Sequence, residues 1–283
     1  LRDHDVWIDV RSKAQRGDAL ADGSLRVGPA YATLPKAGSS STQSLVEAVF
    51  AECARQILLN ASQLASPEGG EPEHVHQLRV GLARLRAAAS LFGGVVGMDL
   101  AIWKAQAKAL ASALGVNRDG AVMSENLWPR LRRAGAPLVE LPHEAPSATP
   151  ADYLRTTQTQ LWLLELLGWE LDRPAEIAAG EWTCVLPVLR KWFARCRKDI
   201  RDFSSLDVGR RHRLRKRLKR LRYAVEFVET RLPSKSIRRF SRAIKVAIDR
   251  LGEYNDCQVA IRDYQAAVAL DGRAWFAIGW ISA

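Results

Sequence analysis

Two histidines head two runs that share seven residues in register. His76-Gln77-Leu78-Arg79-Val80-Gly81-Leu82-Ala83-Arg84-Leu85-Arg86 returns as His212-Arg213-Leu214-Arg215-Lys216-Arg217-Leu218-Lys219-Arg220-Leu221-Arg222, at an offset of 212 − 76 = 136. The chemistry open to these residues is anion binding. A guanidinium presents a fork of N–H donors that matches phosphate oxygens, an ammonium supplies a point charge, and an imidazole N–H adds a donor. On a helix of about 100° per residue, Leu78, Leu82 and Leu85 fall on one stripe fit for a core. His76, Arg79 and Arg86 fall on the adjoining face with Ala83 between them, where the second copy holds His212, Arg215, Lys216, Lys219 and Arg222.

A charged strip is ordinarily the solvated side of a surface helix. Solvated helices, however, usually mix signs and gain i, i+4 pairs, and from Arg210 to Arg222 there is no Asp or Glu. Two unit charges roughly 8 Å apart in water repel by about 0.5 kcal/mol, and a bound polyanion would relieve many such pairs at once. A second repeated element follows at a shift of 137: Leu114-Gly115 with Asp119 and Val122, then Leu251-Gly252 with Asp256 and Val259. A third pairs Phe50-Ala51-Glu52-Cys53 with Phe193-Ala194-Arg195-Cys196. These registers set Lys108 opposite Lys245 and Arg55 opposite Lys198, and Lys235, Arg238, Arg242 and Lys245 form a further stripe. The expected anion ligands are Arg55, His76, Arg79, Arg84, Arg86, Lys108, Lys198, His212, Arg215, Lys216, Lys219, Arg222, Arg242 and Lys245. Each half is expected to bring basic faces from three helices to a shared surface.

Grooves for single-stranded nucleic acid interleave aromatic residues with basic ones so that bases can stack, and beside the main strip there is only Tyr223. A chain of phosphates without bases suits the strips better than DNA or RNA. Metal binding is disfavoured: His74 and His76 do not share a helical face, and His212 is surrounded by cations. No nucleophile–base pair, phosphate loop or paired-acid motif points to catalysis, and no cofactor is expected. The four cysteines, Cys53, Cys184, Cys196 and Cys257, form no CxxC pair and read as reduced core residues.

The elements that must position these side chains are helices. Helical periods run over about 42–64, 73–92, 100–114, 151–169, 182–203, 210–230, 235–251 and 256–270, with a short apolar helix at the C-terminus. Ser41 or Thr42 is the expected N-cap of the first, Gly115 the expected C-cap of the third, and Asp119 and Asp256 the caps of the helices that follow. Trp162, Trp169 and Trp192 lie in apolar helical runs and are expected in the core. The length of 283 residues allows a sizeable core. The net charge of +11 and pI near 9.9 call for an anionic partner, and no apolar run reaches the length of a membrane span.

The paired His-x-x-Arg helices, each followed by a Leu-Gly…Asp element, resemble the CHAD family, the conserved histidine α-helical domain. The likeness covers about residues 42–283. It implies an all-α helical bundle of two pseudo-symmetric halves, about 42–150 and 151–283, joined by a Pro-rich connection at 134–151. It also implies binding of inorganic polyphosphate through basic residues. Ala83 departs from the pattern, the family often having a basic residue there. Residues 1–41 differ in character, with a strand-like alternation at Val6–Val10 and a Gly/Pro/Ser-rich stretch after Gly23. Ser12-Lys13-Ala14-Gln15-Arg16-Gly17 resembles the last strand and exit of a CYTH domain, the triphosphate tunnel fold often found upstream of CHAD. Residues 1–41 are therefore expected to be a linker or the remnant of such a domain, and the chain, which lacks an initiator Met, a fragment of a longer protein. Three functions follow as expectations: polyphosphate binding that targets the parent protein to cytoplasmic polyphosphate stores, an accessory role to an upstream CYTH hydrolase, and sequence-neutral nucleic-acid binding.

Overall fold

A computed structural model describes residues 6–23, 26–35, 41–96, 100–115, 127–142, 148–171, 182–232 and 234–283. Eleven α-helices and no strand occur among them. In chain order they are α1 (Lys13–Ala21), α2 (Thr42–Ala65), α3 (Pro72–Phe92), α4 (Ala101–Ala113), α5 (Trp128–Arg133), α6 (Pro150–Leu154), α7 (Thr157–Leu171), α8 (Val185–Arg201), α9 (Val208–Phe227), α10 (Ser234–Ala267) and α11 (Ala274–Ser282). The fold is all-α, as the periodicity predicts. Both leucine stripes are buried, Leu78, Leu82 and Leu85 in α3 and Leu214, Leu218 and Leu221 in α9.

The helix starts follow local chemistry. Ser41 caps α2, its hydroxyl accepting from the Ser44 N–H at 3.0 Å. Pro72 occupies the first turn of α3, where its missing N–H costs nothing. The expected helix over 151–169 is two helices, because Thr156 caps afresh: its hydroxyl accepts from the Thr159 N–H at 3.3 Å. Three expectations are corrected. Val6–Val10 has no regular secondary structure and pairs with no strand among the described residues; its Ile8 N–H donates to Gln160 Oε1 at 2.8 Å. Ser12–Gly17 opens a helix, since Ser-x-x-Gln is a capping box in which Gln15 N–H reaches Ser12 Oγ and Ser12 N–H reaches Gln15 Oε1. The helices expected over 235–251 and 256–270 are one uninterrupted helix, so Asp256 sits inside it and caps nothing. A lone helical glycine costs about 1 kcal/mol, which does not end a helix whose Ile248, Leu251 and Ala260 are all buried. Asp119 lies outside the described residues.

The chain divides into two units. The first comprises Leu1–Leu114, Ala148–Ala194 and Arg220–Ile237; the second comprises Gly115–Ser147, Arg195–Lys219 and Arg238–Ala283. In the first, α2 packs most extensively on α3. Gly81 permits the close approach, as a Cβ there would stand 3.0 Å from Ile57 Cγ1. Phe50, Trp103 and Trp169 form a ring cluster with centroids 5.2–6.3 Å apart, and Trp162, Trp169 and Trp192 are buried as expected. In the second unit, Leu127, Leu131 and Val139 pack with Tyr264, Ala267 and Ile278.

Candidate functional site

In both copies the first arginine of the motif meets the Leu-Gly element that follows it. Arg79 Nη1 donates to the Leu114 carbonyl at 3.0 Å in the first unit. In the second, the Arg215 guanidinium lies against Gly252: a Cβ built there would stand 3.2 Å from Nη2 and 3.5 Å from Nε. Glycine at 252 leaves room for the arginine, since a methyl there would press on the guanidinium and make it give by a few tenths of an ångström. The first Leu-Gly ends its helix as expected, Leu114 being the C-cap of α4, whereas the second lies inside α10; in both copies the His-x-x-Arg arginine lies against it. His212, one turn before Arg215, is held by the same long helix, its Nδ1 2.6 Å from Asn255 Oδ1. With Nδ1 donating to that oxygen, Nε2 is the ring atom left to meet a ligand.

The second unit collects His212, Arg215, Lys216, Lys219, Lys198, Arg242 and Lys245. Arg217 pairs with Asp199, which fixes the last turn of α8, with its exposed Lys198, beside α9. Arg211 is wedged between the rings of Phe203 and Tyr254, at 4.9 and 5.2 Å from their centroids. Lys216, Arg242 and Lys245 are exposed. Among the described residues, Arg215, Lys216, Lys198, Arg242 and Lys245 enter no ion pair. The Nε of Arg215 is buried without a hydrogen-bond acceptor.

The first unit collects the other seven expected ligands, Arg55, His76, Arg79, Arg84, Arg86, Lys108 and Arg222, and several of them are otherwise engaged. Arg84 is only 3% exposed, too deeply placed to reach a polymer. Its Nη1 pairs with Glu226 Oε2 at 2.8 Å, its Nη2 donates to the Thr33 carbonyl at 3.3 Å, and its plane lies over Tyr223 and Phe227. The other oxygen of Glu226 meets Arg222 Nε at 3.5 Å. Arg55 pairs with Glu52 at 2.9 Å and donates to the Tyr31 carbonyl at 2.7 Å. Lys108 is exposed, and His76, Arg79 and Arg86 are half-buried. The sequence signal for the burial of Arg84 is its flank, since Gln77, Gly81 and Ala88 share its side of α3 and all are buried. Its repeat partner Arg220 is likewise set on an aromatic, 4.2 Å from the Trp192 ring. The second arginine of each motif is thus a framework cation.

Other chemistry finds little footing. Burial pushes the Cys53 thiol up to about 12 even beside the Arg84 guanidinium, so it stays a neutral core group. Cys196 is also buried, whereas Cys184 is exposed and Cys257 half-buried. Among the described residues no group of three His, Cys, Asp or Glu is placed to hold a metal ion, and no helix is long and apolar enough to cross a membrane.

The molecule is thus an all-α domain in which the first arginine of each His-x-x-Arg run lies against a Leu-Gly element. The family model of the CHAD domain matches residues 48–263, and the chain belongs to the CHAD family. It is similar to the crystal structure of the CHAD domain from the plant Ricinus communis, with a TM-score of 0.66 and 25% identity over 90% of each chain. No curated protein matches the chain.

Proposed function

We propose that the chain binds inorganic polyphosphate without transforming it, and so targets the protein that carries it to polyphosphate stores. The observation that supports this most is the uncompensated charge of the second unit. Among the described residues, Arg215, Lys216, Lys198, Arg242 and Lys245 have no carboxylate partner, while the acids of the first unit neutralise Arg55, Arg84 and Arg222. A string of phosphates supplies oxygens at a spacing that successive cations can share, and forked guanidinium contacts make Arg215 the expected anchor. The aromatic next to the strip in sequence gives bases no purchase. Tyr223, the aromatic beside the strip, is 3% exposed and lies beneath Arg84 and Arg222, so it offers no stacking face.

Titration with long-chain polyphosphate and with mixed-sequence DNA, at matched phosphate concentration and several salt concentrations, tests the proposal. Both should weaken with salt through counterion release, with polyphosphate the tighter at every salt. DNA binding of equal strength would overturn the preference, and phosphate release from polyphosphate would overturn the non-catalytic reading.

A further inference from the structure

Residues 26–35 lie along α2 and α3 of the first unit without regular secondary structure, and their main chain is gripped by side chains of those helices. The Val27 N–H donates to Gln63 Oε1 at 2.8 Å, and the Val27 carbonyl accepts from His74 Nε2 at 2.8 Å. The His74 tautomer is settled by its other nitrogen, which accepts from the Glu71 N–H at 3.0 Å. Asn60 reads Ala30 from both sides, accepting from its N–H at 3.2 Å and donating to its carbonyl at 2.9 Å. The Thr33 N–H donates to Glu52 Oε1 at 2.7 Å, and the carbonyls of Tyr31 and Thr33 accept from Arg55 and Arg84.

The spacing identifies the ligand. Residues 27, 30 and 33 present their N–H groups to the helices, a period of three, which is that of a polyproline II helix and not the period of two of a strand. Pro29 and Pro35 fall in the same segment and suit that conformation. Six residues of polyproline II span about 19 Å, and the receiving stretch of α2 from Glu52 to Gln63 rises about 16 Å. Glu52, Gln56, Asn60 and Gln63 follow one another at i, i+4, i+8 and i+11 on one face of α2. Asn60, Gln63 and His74, which bond the segment, are all buried, whereas Gln56 between them donates to Gln77. The segment's larger side chains, Val27, Tyr31 and Leu34, point away and are exposed. Thr33 adds its hydroxyl to Glu52; the other bonds named are made to the backbone.

We propose that this face of α2 and α3 is a binding groove for a polyproline II segment, read through its main chain, and that residues 26–35 are its built-in ligand. Such a segment leaves its backbone unpaired by internal hydrogen bonds, and the buried amides and His74 supply the partners. The inference is independent of polyphosphate binding and is tested without any anion.

Amide hydrogen exchange on the full chain is the first measurement. Val27, Ala30 and Thr33 should exchange at least about 100-fold more slowly than in a free peptide of residues 26–35. A V27S/Y31S/L34S variant should keep that protection, while Asn60→Ala should abolish it at all three amides and leave α7 protected. Asn60→Asp, which keeps the acceptor for the Ala30 N–H, should retain part of it and covers the case in which the alanine variant fails to fold. The second measurement replaces 26–35 by a flexible Gly/Ser run of equal length and adds a fluorescent 26–35 peptide, which should bind saturably. Peptide-like exchange in the parent chain, protection that follows the outward side chains, or no binding in trans would each overturn the proposal.

Discussion

Helix α3 and the first half of α9 start from one eleven-residue pattern and reach different electrostatic states. Their leucines are equally buried, and their first arginines both lie against a Leu-Gly element, Arg79 bonding the Leu114 carbonyl and Arg215 packing beside Gly252. The difference lies between those fixed points. Where α3 has Gln77, Val80, Gly81 and Ala83, α9 has Arg213, Lys216, Arg217 and Lys219. The neighbouring helices diverge in the same sense. Glu52, which neutralises Arg55, has Arg195 as its counterpart beside Lys198. The lesson is that a common frame keeps its stacked and seated arginines, while the remaining positions decide how much charge is left for a ligand.

The largest effects should fall on what the two copies share. Leu82→Ala and Leu218→Ala each remove a fully packed side chain, so each should cost about 2–5 kcal/mol of unfolding free energy in a urea titration. A cost at one position and none at the other would break the equivalence of the copies.

The second arginines sharpen the comparison. Arg84→Ala leaves Glu226 with only the longer Arg222 contact in a largely buried place, and should destabilise by about 3 kcal/mol, the low end for breaking a buried pair. Arg220→Ala loses a stacked cation over Trp192 and should cost about 1 kcal/mol. Equal losses would deny that the framework arginine of the first copy is the more deeply held.

Much of this was legible in the residues themselves. The leucine period gave the helices and their buried faces, and two registers of repetition marked Arg79, Arg215, Leu114-Gly115 and Leu251-Gly252 as related. What periodicity does not carry is which other element meets a given face. Arg84 and Arg86 look alike in sequence, yet Arg84 faces into the fold beside Gly81 and Ala88 while Arg86 is half-buried. Gly252 likewise reads as a helix stop until Arg215 is seen to fill the space beside it. The docking of residues 26–35 had no apolar pattern to announce it, because it is made of main-chain bonds to Gln, Asn and His.

Ligand binding should separate the copies next. Arg215→Ala is expected to weaken polyphosphate about tenfold, the scale of one charge-assisted contact, and Arg79→Ala by only about threefold, with helix content by circular dichroism unchanged in both. Gly252→Ala is the finer probe. It removes a helical glycine, which favours stability, but its methyl displaces the Arg215 guanidinium. Unchanged stability with weakened polyphosphate would place the seat in the binding machinery. Unchanged affinity would leave Arg215 in a packing role.

The smallest effect concerns the acid that distinguishes the copies. Burial alone would raise the Glu52 carboxyl, but hydrogen bonds from Arg55 and Thr33 outweigh it and hold the group below the 4.5 of a free glutamate. A lowered folded value means that the unfolded chain takes up the proton first as the solution is acidified. The stabilisation is therefore complete above about pH 4.5 and lost as pH falls through the lower folded value. Glu52→Gln keeps an oxygen for the Thr33 N–H and removes the titration, so its melting temperature should lie slightly below the parent's at neutral pH, by under about 1 kcal/mol in stability. The two should converge on acidification below pH 4. A gap that persists there would mean that Glu52 holds the segment at residue 33 by shape alone, and that its charge does not set the first copy apart from the second.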